Sequence, residues 1–276
     1  MRTRLCADNP FGFDRKGFAW EKVPAGTEAH LDFGCFNGRF LASLKSKGVA
    51  RLVGVDVSRS AIELARQRYP DLDLHHLPEG RPLPFEDAVF TSASLLDVLE
   101  HVYDQEALLG EIHRVLRPGG QLIVTVPQRC IFSFLDIGNL KFRFPRLHRW
   151  YYQRHYSPEQ YRQRYEAHPD GLIGDISARK RCHEHFSRAD LERLLVRAGF
   201  QPVTFDGSAL FLRPLVPLRL MVKPVPCLRR LGDVVAQLDA RCFESGNLFC
   251  VAQKRPVSGS RSLRSGPALD PPGQSR

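Results

Sequence analysis

The hydrophobic positions between residues 30 and 127 fall into short apolar runs that alternate with amphipathic stretches. Five runs have the length and composition of buried strands: "AHLDFGC", "RLVGVDV", "DLDLHHL", "VFTSASLL" and "QLIVTV". Three stretches have helical periodicity: "GRFLASLKSKG", "SAIELARQRY" and "QEALLGEIHRVLRPGG". Ser58 is the predicted N-cap of the second helix, whose Ile62, Leu64 and Ala65 are predicted to share one side. This alternation predicts an α/β fold in which helices cover both faces of a mostly parallel sheet.

Residues 128–184 interrupt the alternation. They are rich in aromatic and basic side chains, and they form a longer segment than the usual connection between a strand and a helix. We therefore predict an inserted cap that contacts substrate. Regular periodicity returns in "FSRADLERLLVRAGF", where Ser187 is the predicted N-cap and Gly199 ends the helix, and the strands "QPVTFDG" and "NLFCVAQKR" follow.

The pattern divides the chain into five predicted parts: a lead-in at 1–29, a core at 30–127, the cap at 128–184, the C-terminal part of the core at 185–255, and a tail at 256–276. The tail is rich in Pro, Gly and Ser and is expected to be disordered. Within the fourth part, four prolines in 208–231 exclude one continuous helix, so a basic proline-rich hairpin is predicted there.

Composition narrows the class of protein. The chain has 276 residues, of which 43% are hydrophobic, enough for a sizeable core. Its first residues lack the apolar region of a signal peptide, and no stretch approaches the roughly 20 apolar residues that span a bilayer. Seven cysteines without a CxxC pair indicate reduced thiols. A cytoplasmic location is therefore expected.

The net charge of +10 is unevenly distributed. Residues 128–165 carry +6, 208–231 carry +5 and 254–276 carry +4, so the rest of the chain is negative. These segments are candidate contacts for anionic partners, with an ordinary solvated surface as the alternative. In 208–231 the apolar residues around the prolines also indicate peripheral contact with a membrane. A hairpin packed on the sheet edge or on a second subunit is the other interpretation of that stretch.

The stretch "HLDFGCFNGRF" places glycines where a strand passes into a helix. Glycine accepts positive φ and lets a ligand approach the backbone, and the helix N-terminus offers free N–H groups. A nucleotide-like ligand is the leading interpretation of this loop. A purely structural turn is the alternative, because such turns are common in α/β proteins.

Acidic residues follow the predicted strands in a consistent order. Asp56 ends the second strand 24 positions after Asp32, near the spacing of roughly 20 residues at which doubly wound folds bind a ribose diol. Glu79 follows the third strand, where the amino group of an adenine would need an acceptor. Together these acids favour a nucleoside pocket over strand-end surface residues. The spacing Gly34-Cys-Phe-Asn-Gly38 does not fit the G-x-G-x-x-G of dinucleotide sites.

The pattern D-x-G-x-x-x-G resembles the first motif of class I S-adenosylmethionine-dependent methyltransferases. "LVGVDVSRSAIELAR", "LPFEDAVFTSASLLDVLEHV", "EIHRVLRPGGQLIVTVP" and "HEHFSRADLERLLVRAGFQPV" resemble further blocks of that family, particularly of the ubiquinone/menaquinone-biosynthesis type that modifies small molecules. Phe36 stands where the family has a middle glycine, and its side chain is expected either to narrow the approach to the cofactor or to point into the core. A second departure is Thr91, where an acid usually follows the Phe.

The resemblance implies a doubly wound, seven-stranded Rossmann-like methyltransferase fold with the cap inserted after strand 5. It also implies S-adenosylmethionine as the cofactor and assigns roles to six residues. Asp32, Gly34 and Gly38 would shape the site of its methionine end. Asp56 would hold the ribose, Glu79 the adenine, and the backbone at Leu96 would approach the amino-acid portion.

Histidines are the candidate catalytic residues. His101 lies just beyond the fourth strand, at the edge where such folds bind ligands. In "CHEHF", His183 and His185 share one side of an extended chain, next to the cap. His101 and His185 are therefore candidate general bases toward a phenol or hydroxyl, with hydrogen-bonded structural histidines as the alternative. No metal is expected, because Cys182, His183 and His185 have no second ligand pair at a suitable spacing.

The predicted activity is methyl transfer to a small-molecule or lipid-linked acceptor, with O-methylation ahead of C- or N-methylation. Trp150, Tyr151 and Tyr152 are expected to stack on the acceptor. Arg143, Arg146 and Arg149 are expected to meet an anionic group on it. An RNA methyltransferase is an alternative, although "SASLLDVLEH" lacks the motif of amino-directed base methylators, so no nucleic-acid partner is expected. A non-catalytic cofactor-binding module is a further alternative, and the sequence is silent on oligomeric state.

Overall fold

The computed structural model describes residues 8–12, 14–155, 157–166, 170–211 and 226–255. Seven strands form one sheet in the order β3-β2-β1-β4-β5-β9-β8. Their bounds are β1 (Ala29–Phe33), β2 (Arg51–Asp56), β3 (Asp73–His76), β4 (Phe90–Leu96), β5 (Leu116–Pro127), β8 (Phe200–Ser208) and β9 (Asn247–Lys254). Of these seven strands, β9 runs antiparallel to its neighbours β5 and β8. The predicted seven-stranded, mostly parallel sheet is confirmed.

Nine α-helices accompany the sheet in the described part of the chain. They are α1 (Arg15–Lys22), α2 (Arg39–Ser43), α3 (Arg59–Arg68), α4 (Gln105–Val115), α5 (Leu140–Arg143), α6 (Pro145–His155), α7 (Pro158–Tyr165), α8 (Arg188–Arg197) and α9 (Pro226–Cys242). The predicted caps form: the Ser58 side chain accepts from the Ala61 N–H, and Ser187 forms a capping box with Asp190. Gly199 follows α8 with φ of 87°, as its role at the helix end requires.

Both faces of the sheet are buried, because side chains alternate along each strand. Val53, Leu122 and Val124 belong to one apolar cluster, which also contains buried residues of α4 and α8. Leu52 and Ile123 belong to a second cluster, which contains buried residues of α1, α2 and α3. The sheet therefore has helices on both sides, and its strand ends are left for the site.

Two sequence expectations are wrong in detail. Leu64 is 48% exposed, and the buried side of α3 consists of Ala61, Ile62 and Ala65. Positions 62 and 64 lie about 200° apart around a helix, so they cannot share a face. The stretch 226–231, predicted as part of the hairpin, forms the first turns of α9, since Pro226 is tolerated at the start of a helix. The remainder of the predicted hairpin at 212–225 and the tail at 256–276 lie outside the described residues.

The predicted cap follows β5 and contains helices α5, α6 and α7. It also contains a small antiparallel pair, β6 (Leu172–Ile173) and β7 (Ile176–Ser177). Tyr152, Tyr161 and Tyr165 pack ring against ring with centroid separations of 5.0 to 5.6 Å. These aromatic contacts hold α6 against α7. The cap boundaries themselves remain a prediction.

Candidate active site

The carboxyl ends of β2, β1 and β4 meet at one edge of the sheet. Their parallel register places Asp32 beside Gly54 on one side and Ser94 on the other. The loop after β1, the end of β2 and the turn after β4 therefore share one edge. This is the edge at which doubly wound sheets bind ligands.

The loop after β1 has three residues in the left-handed region: Gly34 with φ of 80°, Phe36 with 48° and Gly38 with 71°. A Cβ on Gly34 would lie 2.5 Å from Cγ2 of Val98, so both the conformation and the space require glycine there. Phe36 adopts a conformation that bulky residues rarely take. Its side chain is 61% exposed, so it does not point into the core.

Asp56 anchors this loop to the end of β2. Its Oδ2 accepts from the backbone N–H of Phe36 at 2.7 Å, and its Oδ1 accepts from that of Ser58 at 2.8 Å. Burial raises the pKa of Asp56, while these two hydrogen bonds oppose the rise. Each carboxylate oxygen keeps a further lone pair, so the oriented group can still accept from the hydroxyls of a ribose.

Asp32 belongs to a buried polar network that the sequence did not reveal. The Ser94 hydroxyl donates to Asp32 Oδ1 at 2.6 Å, and His30 Nε2 lies 3.0 Å from the same hydroxyl oxygen. Because the Ser94 proton goes to Asp32, His30 donates through Nε2 and accepts through Nδ1 from Ser92 Oγ at 2.7 Å. The imidazole is therefore neutral, with a defined tautomer.

Burial acts in opposite directions on the two titratable groups of this network. It lowers the pKa of His30 to about 3. It raises the pKa of Asp32 to about 6, against the hydrogen bond from Ser94 and the nearby charge of Lys16. Asp32 is only 2% exposed, so its carboxyl group is almost fully removed from solvent. His30 could have been found as a polar residue inside a predicted buried strand.

The cap is joined to two of the predicted site residues through Ser177. The Ser177 hydroxyl donates to Glu79 Oε2 at 2.9 Å, and its N–H donates to the backbone oxygen of His101 at 3.0 Å. Glu79, half-buried after β3, thus keeps one carboxylate oxygen outside this bond. The contact places the candidate adenine acceptor and the candidate catalytic histidine under the same strand of the cap.

The turn after β4 carries an acidic residue, Asp97, that the sequence did not single out. Leu96, the last residue of β4, is half-buried and pairs with Thr125 of β5. Asp97 follows with φ of 55°, accepts from Thr125 Oγ1 at 2.8 Å and forms an ion pair with Arg15 of α1. Its position at the carboxyl end of a strand, as for Asp56, was the available signal.

Histidines from distant parts of the chain converge where the cap meets the turn after β4. The rings of His101 and His183 lie 4.9 Å apart, and those of His183 and His185 lie 5.7 Å apart. His183 Nδ1 lies 2.5 Å from Asp136 Oδ2, and His185 Nε2 lies 3.0 Å from the same oxygen without hydrogen-bond alignment. The structure therefore brings together both predicted catalytic histidines, with Asp136 as a carboxylate that sequence spacing did not indicate.

Burial and nearby charges shift the pKa values of several groups in this histidine cluster. Burial lowers the pKa of His101 to about 4, although the charge of Asp175 opposes that shift. Burial alone would raise the pKa of Asp136, but the hydrogen bond from His183 and the close approach of His185 hold it well below its usual range. Burial, together with the charge of Asp97, raises the pKa of Glu100.

The sequence of the core matches a known family. Residues 31–124 match the model of a methyltransferase domain. They form a class I S-adenosylmethionine-dependent methyltransferase domain. For these residues the predicted membership in this family is confirmed, and with it S-adenosylmethionine as the cofactor of the domain. The finer resemblance to the ubiquinone/menaquinone-biosynthesis type stays a prediction.

Individual relatives agree with this assignment over the core. A "Probable S-adenosylmethionine-dependent methyltransferase" of Mycolicibacterium smegmatis is 33% identical over 132 residues, covering 46% of this chain and 49% of that protein. The O-methyltransferase cnsE of Penicillium expansum is 35% identical over 106 residues, covering 37% of this chain and 38% of that protein. The matched region therefore spans half or less of these relatives' own length.

Solved structures match over a larger share of the chain. A SAM-dependent methyltransferase from Methanosarcina mazei has a TM-score of 0.51 at 18% identity, covering 87% of this chain and 97% of its own. At this identity the likeness establishes the fold. The predicted Rossmann-like methyltransferase fold is confirmed by this likeness and by the strand order.

The residues at the sheet edge fit the cofactor of this family. The glycine backbone of the loop after β1 allows a ligand to come close to the main chain. Asp56 presents an oriented carboxylate at the end of the adjacent strand. Glu79 lies after the third strand, on the side where an adenine would follow the ribose. The specific contacts of Asp32, Gly34, Gly38, Asp56, Glu79 and Leu96 with cofactor remain predictions.

Proposed function

We propose that the protein transfers a methyl group from S-adenosylmethionine to a hydroxyl of a small-molecule or lipid-linked acceptor. The observation that carries the proposal is the histidine cluster beneath the cap, joined through Ser177 to the acid expected to hold the cofactor's adenine. O-methyltransferases among the relatives support a hydroxyl as the acceptor. When bound, the cofactor supplies an electrophilic methyl group on its sulfonium.

In this proposal the loop after β1 and Asp56 bind and orient the cofactor. The backbone N–H groups of Phe36 and Ser58 fix the Asp56 carboxylate, so it requires little reorganisation to accept two ribose hydroxyls. Glu79 accepts from the adenine amino group through the oxygen that Ser177 does not occupy. Methyl transfer depends mainly on such positioning and on exclusion of water.

The histidine cluster would receive the acceptor hydroxyl. His101 Nδ1 is buried and lacks a hydrogen-bond partner among the described residues, and His185 Nε2 lies 3.0 Å from Asp136 Oδ2 without hydrogen-bond alignment. An unpartnered nitrogen in such a place can accept a hydroxyl proton as the methyl is transferred. We assign the proton-accepting role to this pair, as the sequence indicated.

The cap would select the acceptor. Trp150 and Tyr151 are exposed on α6 and are available to stack on a flat or isoprenoid group, whereas Tyr152 packs within the cap. Arg149 pairs with Glu166, which leaves Arg143 and Arg146 as the better candidates for an anionic group. Of the six side chains predicted from the sequence to contact the acceptor, we therefore favour Trp150, Tyr151, Arg143 and Arg146.

Transfer of a labelled methyl group tests the proposed activity. Protein incubated with methyl-labelled cofactor should label a component of a metabolite or lipid extract but not RNA or DNA. Label in nucleic acid would support the alternative activity, and cofactor binding without label in any extract would support a non-catalytic module.

Matched variants connect the activity to the cluster. Replacing both proton acceptors, in His101→Ala/His185→Ala, should lower labelling about 100-fold or more while leaving cofactor affinity unchanged, because general bases contribute about 10²–10⁴-fold. His75→Ala, at the far edge of the sheet, should retain full activity. Full labelling by the double variant would refute the assigned role.

Peripheral membrane contact remains a prediction for the region at 208–231. In the described part of the chain, no helix combines the length and apolarity needed to cross a bilayer. Exposed Leu231, Val234 and Leu238 on α9 support shallow contact, because positions three and four apart share a face. Anionic vesicles should bind the protein at low salt, and Arg229→Glu/Arg230→Glu should weaken co-sedimentation by about 1 kcal/mol per charge. Absence of binding at low salt would favour a packed element instead.

A further inference from the structure

Three residues where the cap meets the turn after β4 form a compact set of potential metal ligands. Glu100 and His101 belong to the turn after β4, and His183 lies near the end of the predicted cap. One ligand atom from each lies within 4.8 Å of the other two. The sequence argued against a metal because "CHEHF" had no second ligand pair, but the fold supplies the missing carboxylate and imidazole from about 80 residues earlier.

The distances between the ligand atoms suit one ion. Glu100 Oε1 lies 3.7 Å from His101 Nε2 and 4.0 Å from His183 Nε2. Bonds of about 2.0–2.2 Å to zinc place tetrahedral ligand atoms about 3.3–3.6 Å apart. Side-chain movements of less than about 1 Å would therefore close the site around an ion.

Glu100 gives an independent reason to expect a cation. Its side chain is 1% exposed, and its Oε2 has no hydrogen-bond partner among the described residues. A buried carboxylate oxygen without a partner is costly, and buried carboxylates are usually paired or bound to metal. A cation bound by Glu100 Oε1 and the two imidazoles would neutralise the charge of the carboxylate and so lower the cost of leaving Oε2 without a partner.

Asp136 orients one of the ligands from outside the set. Its Oδ2 accepts from His183 Nδ1 at 2.5 Å, and its Oδ1 accepts from the N–H of Gly138 at 2.9 Å. With the His183 proton on Nδ1, Nε2 keeps its lone pair on the side of Glu100. Carboxylates hydrogen-bonded to metal-binding histidines in this way are the usual outer support of protein metal sites.

We propose that Glu100, His101 and His183 bind one divalent first-row transition-metal ion such as Zn²⁺, with Asp136 as the outer carboxylate. Two imidazoles and one carboxylate favour such ions over Mg²⁺ and Ca²⁺, which prefer all-oxygen sites. The alternative set of Asp136, His183 and His185 is less favourable, because Asp136 already accepts from His183 and Gly138. Three protein ligands leave a position open for a further oxygen.

An ion at this site would lie where the acceptor hydroxyl is proposed to bind. A hydroxyl bound to zinc loses its proton more readily, and His185, outside the ligand set, would remain available to take it. In the metal-bound state His101 is then a ligand and not a base. The metal site does not depend on methyl transfer, since ion binding is measurable without cofactor or acceptor.

Metal binding should be measured directly on the full chain without an affinity tag. Zn²⁺ competition against a chromophoric chelator should give one ion per chain, and Co²⁺ should produce visible absorption bands. Glu100→Gln and His183→Ala should each weaken binding about 100-fold or more, and Asp136→Asn about 10–100-fold. Mg²⁺ at equal concentration should not compete.

Control variants test whether the ion binds at this site and not elsewhere on the chain. His75→Ala and Cys182→Ser should bind Zn²⁺ like the unmodified chain, because neither residue belongs to the ligand set. Circular dichroism and thermal unfolding would identify a variant that fails to fold, and the two ligand variants provide independent tests. Absence of stoichiometric binding, or binding abolished by Cys182→Ser but not by Glu100→Gln or His183→Ala, would overturn the proposal.

Discussion

The cofactor edge and the histidine cluster are built in different ways. The cofactor edge comes mostly from residues 30–58, where strand, loop and helix follow each other and the contacts are local. The histidine cluster takes residues from positions 100–101, 136 and 183–185, and these meet only when the cap folds over the sheet. Local motifs therefore specify the first region, whereas tertiary packing specifies the second.

Gly34 offers the strongest test of how tightly the backbone at the cofactor edge is constrained. Gly34→Ala should lower the free energy of unfolding by about 2–5 kcal/mol, from about 1–2 for left-handed φ and about 1–3 for the contact with Val98. Urea unfolding measures the loss. Gly26 has φ of 69° and nothing within 4 Å of an added Cβ, so Gly26→Ala should lose only the about 1–2 kcal/mol that comes from left-handed φ. Equal losses in both variants would contradict the proposed contact.

The buried network of His30, Asp32 and Ser94 predicts a pH dependence of stability. The folded pKa of Asp32, about 6, exceeds its ordinary value of 3.8, so its contribution to stability is full below pH 3.8 and is lost as pH rises through 6. Asp32→Asn removes this loss. The variant should gain about 3 kcal/mol relative to the original chain between pH 3 and pH 8, at 1.36 kcal/mol per pKa unit.

Denaturant titrations across that pH range measure the effect, and Ser94→Ala provides a control. Loss of the Ser94 donor should move the transition to higher pH, since the hydrogen bond lowers the pKa of Asp32. The His30 pKa, about 3 against 6.5, acts in the opposite sense: its contribution is present above pH 6.5 and is lost as pH falls toward 3. A pH-independent difference between Asp32→Asn and the original chain would refute the charge assignment.

Asp56 tests whether the local region is a ribose site. Asp56→Ala should weaken S-adenosylmethionine binding by roughly 1.5–3 kcal/mol, the scale of hydrogen bonds to charged groups. Calorimetry measures the affinity. Asp71→Ala, which removes an exposed acid paired with Lys45, should bind cofactor normally. Unchanged affinity in Asp56→Ala would eliminate the ribose assignment.

Substitutions of Phe36 have the smallest expected effect. They test whether the backbone is strained at the position where the family has a middle glycine. Phe36→Gly should be more stable than Phe36→Ala by about 1 kcal/mol, because only glycine takes φ of 48° without cost. Thermal unfolding of the two variants gives the difference. If alanine proves equal to glycine at this position, the backbone there is not strained.

The sequence by itself determined the elements and much of the cofactor edge. Periodicity located the strands, Ser58 and Ser187 marked helix starts, and the acids at 32, 56 and 79 lie in or after the ends of consecutive strands. Such features are readable because they depend on neighbours within a few residues of each other. The direction of parallel strands then brings their carboxyl ends to one edge.

Tertiary structure alone decided which polar groups meet. No spacing pattern in the sequence predicts that His30 pairs with Ser92 and Ser94 across adjacent strands. Nor does any pattern predict that Glu100, Asp136 and His183 converge. From the sequence, the Phe36 side chain could either narrow the approach to the cofactor or point into the core. In the structure it lies outside the core. These outcomes depend on strand register and on how the cap packs, and both are set by contacts between residues far apart in the chain.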